Sequence, residues 1–184
     1  HQFALLGSLT AQAVGNIAAP IVRLVNVGEE LTKGGDNIVQ TAALLAADPA
    51  LNYQGYVEGD GIFKGTTDVV VCDGFTGNVA VKTSEGVAAM INGMFKELLA
   101  SSWTARMGSF LMRRKFLELK ARLDPALYNG AYLLGLNGVV IKSHGGASEK
   151  AFGHAIDVAI EAAKHNLPRV LSPILQRKMD NEIK

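Results

Sequence analysis

The stretch from Thr67 to Gly86 places the strongest constraint on how this chain folds. A run of β-branched residues, Val69–Val71, passes through two glycines, Gly74 and Gly77, into a segment with helical spacing. Such a run is typical of a strand covered on both faces in the parallel sheet of an α/β protein. We therefore predict an α/β fold with three layers, in which a mostly parallel sheet is flanked by helices. Ligands of such sheets bind at the carboxyl ends of the strands.

The turn after this strand predicts an anion site. Its glycines allow the backbone to approach a ligand closely, and the following helix presents unpaired N–H groups and the positive end of its dipole. The candidate phosphate-binding residues here are Gly74, Phe75, Thr76, Gly77 and Asn78. Asn78, Lys82 and Glu85 are spaced four and three residues apart, so they share one face of the helix.

The same residues also have a purely structural interpretation. Asp73 and Gly74 suit an ordinary turn, Asn78 suits a helix cap, and Lys82 with Glu85 suits a solvated surface pair. Most helices that follow a strand bind no anion. The pattern alone leaves both interpretations open.

A second strand, glycine loop and helix follow near the carboxyl end. Residues 138–141 read as a strand, and a helix is predicted over 148–165. The loop between them contains Lys142, Ser143, His144, Gly145 and Gly146. We expect this loop to open on the same sheet edge as the first, with Lys142 and His144 facing Asp73. His144 is either a catalytic group or a hydrogen-bonding residue that fixes the loop.

The remaining pattern completes a single α/β region over 1–184. Strands are predicted at 21–26, 53–58 and 68–72, and helices at 38–47 and from 79 to about 100. The tail, 168–184, reads as a short amphipathic helix without evident chemistry.

Composition excludes several classes of protein. With 48% hydrophobic and 19% charged residues the chain is globular, and it has no apolar run long enough to span a bilayer. The single cysteine, Cys72, lies within the apolar strand, which fits a reducing cytosol and makes a nucleophilic role improbable. The four histidines lack metal-ligand spacing, so no metal site is expected, and His154 and His165 read as ordinary helix residues. The net charge of +1 says little about partners, and no nucleic-acid partner is expected.

The segment 103–122 is basic and amphipathic. Between Thr104 and Arg122 six basic residues outnumber one acidic residue, and an apolar stripe that includes Trp103 accompanies them. The candidate contact residues are Arg106, Arg113, Arg114 and Lys115. A helical platform over 90–128 is predicted to meet an acidic protein or anionic lipid, with a buried dimer helix as the alternative. Gly108 weakens the helix here.

Several blocks of the sequence resemble the phosphate acyltransferases of bacterial phospholipid synthesis, the PlsX family. The resemblance rests on five blocks in family order, which extend to about Ala163: Val25-Asn26-Val27-Gly28-Glu29-Glu30; Val57-Glu58-Gly59 with Ile62-Phe63; Val69 to Gly86; Leu123-Asp124 with Tyr128-Asn129-Gly130-Ala131; and Leu134 to Gly145. Family members are close to twice as long, so this chain is similar to their carboxy-terminal half.

The resemblance implies an enzyme that moves a long acyl group from acyl carrier protein to inorganic phosphate. It implies no cofactor, a homodimer, a cytoplasmic protein that meets the membrane peripherally, and a fold similar to those of isocitrate and isopropylmalate dehydrogenases and phosphotransacetylases. A membrane acyltransferase would take the acyl phosphate product.

That reaction needs cations and backbone N–H groups to hold phosphate and stabilise the oxyanion. Lys82 and Lys142 are the expected cations, helped by the glycine turns, and Asn78 would orient the phosphate. Asp73 or Glu58 could accept a phosphate proton or position a lysine, and His144 could protonate the leaving thiolate.

Two rival functions have different requirements. The chain could be a catalytically incomplete dimerisation and membrane-docking module, because half of the family sequence is absent. A dehydrogenase of related fold would need a metal-binding carboxylate cluster and a nucleotide loop, and the sequence contains neither.

Overall fold

A computed structural model describes residues 1–30, 32–122 and 124–172. The chain forms two compact units, one of residues 1–72 with 129 onward and the other of Asp73–Tyr128. The helices are α1 (Gln2–Ala13), α2 (Asp36–Ala46), α3 (Gly74–Ala100), α4 (Trp103–Leu111), α5 (Arg113–Arg122) and α6 (Glu149–Lys164), and the strands are β1 (Ile21–Val25), β2 (Asn52–Val57), β3 (Val69–Val71), β4 (Ala131–Tyr132) and β5 (Ile141–Lys142). Short 3-10 helices span Gly59–Gly61 and Pro125–Tyr128.

The first unit is built on a parallel sheet in the order β2-β1-β3. Val22 of β1 lies opposite Tyr53 of β2 and Val69 of β3. Both pairings are parallel, so the three strands run in the same direction and end at the same edge. Helices α1 and α2 flank the sheet, which confirms the predicted α/β fold with a parallel sheet. The likeness to dehydrogenase folds stays a prediction.

The sheet packs on a core of fully covered apolar side chains. Leu5 of α1, Val22 of β1 and Leu45 of α2 are its best buried large residues. Gly7 lies where α1 crosses β3, and a β-carbon there would come within 2.6 Å of a Val69 methyl group. Helix α1 therefore needs a residue without a side chain at this crossing.

Strand β5 differs from its prediction. It spans Ile141–Lys142 rather than residues 138–141, and it pairs antiparallel with β4 in a separate two-stranded sheet. The expectation that it shares a sheet edge with β3 is therefore wrong, because β5 forms its backbone hydrogen bonds with β4 and not with the parallel sheet. A second core next to this hairpin contains Ala162, Leu167 and Leu171. Residues 167–172 are helical, and the predicted tail beyond them, 173–184, lies outside the described residues.

The second unit consists of helices. Helix α3 begins at Gly74, five residues earlier than predicted, because the Asp73 carboxylate caps it. The predicted single helix over 103–122 is two helices, which meet at Met112, whereas Gly108 is accommodated within α4. Ser102 caps α4 by accepting the N–H of Ala105.

Candidate functional site

The carboxyl edge of the parallel sheet carries a cluster of charged loop residues. Glu58 follows β2 directly and precedes the 3-10 helix that begins at Gly59, where its carbonyl oxygen accepts the Gly61 N–H at 2.9 Å. Lys33 and Lys64 both lie within electrostatic reach of Glu58. The pKa of Lys33 is raised chiefly by its hydrogen bond to Glu30, and Glu58 adds a smaller contribution. Glu58 is thus an exposed carboxylate among cations at a strand end, and its catalytic role stays a prediction.

The Asp73 carboxylate is already engaged at the start of α3. Its Oδ1 accepts the N–H groups of Phe75 and Thr76 at 2.9 Å each, and its Oδ2 accepts the Thr76 hydroxyl. The hydrogen bond from the Thr76 side chain is the largest cause that lowers the pKa of Asp73, with further contributions from backbone N–H groups. Gly77 donates to the Asp73 carbonyl oxygen at 2.9 Å. A phosphate at this turn would have to compete with a carboxylate for the same donors.

Lys82 and Glu85 form an ion pair on α3. The Lys82 ammonium lies 2.8 Å from Glu85 Oε2, and the two side chains are 54% and 51% exposed. Asn78, one turn earlier, is also exposed. The shared face predicted for these residues exists, and at this exposure the pair itself adds little to stability.

The loop after β5 is held by a residue that the sequence analysis did not assign to the site. Asn129 is buried to 8% exposure, and its amide nitrogen donates to Ser143 Oγ at 2.9 Å and to the Ala151 carbonyl at 2.7 Å. Its amide oxygen accepts the backbone N–H of His144 at 2.8 Å. One side chain therefore joins the loop, the start of α6 and the segment before β4. The sequence signal was only the block Tyr128-Asn129-Gly130, used for the resemblance.

Within this loop some donors are used and others are available. The N–H of Gly146 donates to Nδ1 of His144 at 3.1 Å, and the N–H of Ala147 donates to the His144 carbonyl at 3.0 Å. In the described part of the chain, the Lys142 ammonium has no ion-pair partner and the Gly145 N–H makes no hydrogen bond. Lys142 and Gly145, with Nε2 of His144, are therefore available to an anion.

An apolar cavity of about 540 Å³ lies in the first unit. It runs along β3 from Val69 to Cys72, with Phe3 and Leu6 of α1 on one side and Tyr132–Leu134 on another. Cys72 is half-buried at its end. The lining suits an alkyl chain or an apolar peptide segment.

The second unit exposes an unusual amount of apolar surface. Helix α3 has no buried residue over its 27 residues, and neither has α4. The exposed large hydrophobic residues of α3 are Phe75, Val79, Val81, Val87, Met90, Ile91, Met94, Phe95 and Leu98. The predicted contact residues Arg106, Arg113, Arg114 and Lys115 are exposed, and the last two pair with Glu118. Exposed apolar surface of this extent is typical of interaction sites.

The described residues contain neither a metal-binding cluster nor a membrane-spanning helix. No group of three or more His, Cys, Asp or Glu side chains in residues 1–30, 32–122 and 124–172 is placed to hold a metal ion. None of the helices in those ranges is both long and apolar enough to cross a membrane.

Comparison with known proteins identifies the family. Residues 1–170 match the family described as fatty acid synthesis protein, to which this chain belongs. It is 48% identical over 174 residues to the phosphate acyltransferase of Alcanivorax borkumensis and 47% identical over 175 residues to that of Alkalilimnicola ehrlichii, and each match covers 95% of this chain. The phosphate acyltransferase of Legionella pneumophila is 48% identical over 90% of the chain. These matches confirm the resemblance stated above.

The matches cover only part of each relative. They account for 52%, 51% and 48% of the three relatives' own lengths. The chain thus spans about half the length of the curated relatives it matches.

Proposed function

We propose that this chain belongs to an acyltransferase that moves a long-chain acyl group from acyl carrier protein to inorganic phosphate. The observation that carries the proposal is the identity of 47–48% with proteins named phosphate acyltransferase over 95% of the chain. The geometry of the loop at 142–146 supports it, because that loop keeps the Lys142 ammonium, the Gly145 N–H and Nε2 of His144 available.

The reaction forms one bond and breaks another. A phosphate oxygen attacks the thioester carbonyl carbon, and the carbonyl oxygen takes up negative charge. The carbon–sulfur bond then breaks, and sulfur leaves with the electron pair as a thiolate, which gains the proton released from phosphate. Acyl phosphate is the other product. The protein has to hold a hydrated dianion against the thioester and stabilise the oxyanion.

The loop residues supply those needs in our proposal. Lys142 neutralises phosphate, Ser143 and the backbone of Gly145 and Gly146 shape its site, and His144 contacts the reacting oxygens. Lys82 and Asn78 on α3 stay predicted phosphate-binding residues, and phosphate would have to compete with Glu85 for the Lys82 ammonium. No step requires Cys72 or a cofactor.

The hydrogen bonds of Asp73 favour Glu58 as the acceptor of the phosphate proton. Asp73 already accepts three hydrogen bonds, and its pKa is lowered. Protonation of this carboxylate would therefore weaken the cap of α3. Glu58 is exposed beside two lysines instead. We therefore assign Asp73 and the turn 74–77 to holding the start of α3.

The apolar cavity along β3 fits the proposed acyl substrate, and the exposed helices fit the proposed partners. A cavity of about 540 Å³ with an apolar lining suits the alkyl part of an acyl group. The apolar side chains of α3 suit a second subunit, and the basic side chains of α4 and α5 suit acidic acyl carrier protein or anionic lipid at a membrane surface.

A docking module without catalysis is the second candidate. The observation that favours it is the absence of any buried residue in α3 and α4. Release of thiol from acyl carrier protein thioester separates the candidates. We expect phosphate-dependent release by a protein of the relatives' full length that contains this chain. Release that is absent there, with self-association intact, would favour the docking module.

A further inference from the structure

We propose that Asn129 is a positioning residue, which holds His144 so that its neutral imidazole carries the proton on Nε2. We further infer that this Nε2–H group donates a hydrogen bond to the reacting oxygens and does not protonate the thiolate. The assignment of the donor role rests on the proposed function, whereas the orientation of His144 does not.

The contacts of the Asn129 amide fix its orientation. Its nitrogen lies 2.7 Å from the Ala151 carbonyl oxygen, and its oxygen lies 2.8 Å from the His144 backbone nitrogen. The flipped amide would set oxygen against oxygen at Ala151 and N–H against N–H at His144. The observed orientation is therefore the one that satisfies this buried group. Both amide protons are used, since the second reaches Ser143 Oγ.

The imidazole ring of His144 is held by contacts within its own loop. Its backbone is fixed through Asn129, and the N–H of Gly146 points at Nδ1 over 3.1 Å. An N–H group can donate only to a nitrogen that carries no proton, so the neutral ring holds its proton on Nε2. A proton on Nδ1 would place two donors against each other and break this contact.

The Nε2–H group of a neutral His144 is better suited to donating a hydrogen bond than to transferring its proton. A neutral ring that gave away its Nε2 proton would become an imidazolate, which is a poor outcome near neutral pH. A thiol with an ordinary pKa of about 8.5 leaves as a thiolate without needing that proton. A fixed N–H donor, by contrast, serves the oxyanion that develops on the thioester carbonyl. This revises the earlier expectation that His144 is the acid.

Two substitutions of His144 test the donor role. In His144→Gln the side-chain amide places an N–H group near the position of Nε2 but cannot act as an acid. We expect His144→Ala to lower kcat/KM by about a hundredfold, as for loss of one oxyanion donor, and His144→Gln to stay within about tenfold of the parent. A folded Gln variant that is as inactive as the Ala variant would overturn the donor role.

The orientation is measured separately by nitrogen-15 NMR of the imidazole groups. We expect the parent to show His144 with Nδ1 unprotonated and Nε2 protonated, and Asn129→Ala to show a mixture of tautomers. Asn26→Ala is the matched control: Asn26 is equally buried at 8% and donates to the Lys33 carbonyl at 2.8 Å in another loop. That variant should leave the His144 signals unchanged.

The outcomes are distinguishable from a failure of the proposed function. A parent with its proton on Nδ1, or an Asn129→Ala protein with parental His144 signals, would overturn the positioning role whatever the activity. The parent spectrum needs no variant, so it decides the tautomer even where Asn129→Ala does not fold. An inactive enzyme with the expected spectra would refute the proposed function and the donor role but keep the positioning role.

Discussion

The amide oxygen of Asn129 accepts the backbone N–H of His144 across 15 positions of sequence. The neighbouring residue makes this contact possible. Gly130 has a φ of +114°, and a β-carbon there would lie 3.1 Å from the Ala155 Cα and 3.3 Å from Val158. The segment before β4 can therefore pack directly on α6, which brings the Asn129 amide to the loop.

We expect Gly130→Ala to destabilise the protein by about 1–3 kcal/mol, because it adds backbone strain at a positive φ and a close contact with α6. Chemical denaturation measures the change. Gly138→Ala is the control, since a β-carbon at Gly138 meets no atom within 4 Å. Equal stability of the two variants would contradict the packing described here.

The role of Lys82 is tested against its ion-pair partner. We expect Lys82→Ala in the full-length enzyme to lower phosphate-dependent turnover by on the order of a hundredfold, because a lost oxyanion donor has an effect of this size. Glu85→Gln removes the partner and keeps the cation, so it should stay within about threefold of the parent. Normal turnover of a folded Lys82→Ala protein would mean that the pair is only a surface contact.

The cap at Asp73 predicts a dependence of stability on pH. The pKa of Asp73 is lowered in the folded protein, chiefly by the Thr76 side chain, so its contribution is present above the ordinary Asp pKa of 3.8. It is lost as the pH falls below that value through the folded pKa. We expect Asp73→Ala to have a lower unfolding temperature at pH 7 and a smaller difference from the parent at pH 3.

Asn is as good a helix cap as Asp, which provides the control for this experiment. Asp73→Asn should keep most of the stability at pH 7 while removing the titration. An unfolding temperature of Asp73→Ala equal to that of the parent at pH 7 would rule out the cap as a stabilising contact.

The basic helices are tested by charge reversal. We expect the double variant Arg113→Glu with Arg114→Glu to bind acyl carrier protein and anionic vesicles more weakly, mainly at low ionic strength, since exposed charges are screened beyond roughly 8 Å at physiological salt. Lys164→Glu with Arg169→Glu makes the same charge change on exposed positions of the first unit. If both double variants bind equally at every salt concentration, α4 and α5 are an ordinary solvated surface.

The strands of the parallel sheet were predictable because their signal is local. Strands were predicted at 68–72 and 21–26, where apolar runs are bounded by loop residues, and the structure has strands at Val69–Val71 and Ile21–Val25. The break between α4 and α5 at Met112 was not predictable, because neither glycine nor proline marks it. Strand β5 was assigned to the wrong sheet, since the partner of a strand depends on contacts that periodicity does not encode.

The role of Asn129 shows the same limit at the candidate site. Its partners lie 14, 15 and 22 positions away, at Ser143, His144 and Ala151. Nothing in the spacing of one asparagine indicates such contacts. The two glycine loops themselves were found from sequence, because glycine next to a strand end has a local meaning. Which of their donors are already used became evident only from the structure.

The identity of the product tests the central claim most directly. The full-length protein is incubated with acyl carrier protein thioester and phosphate, and acyl phosphate is followed by phosphorus-31 NMR beside the release of thiol. We predict one acyl phosphate for each thiol released, and no release when phosphate is omitted. Release of thiol without phosphate, with free fatty acid as the product, would contradict transfer to phosphate and indicate a thioesterase.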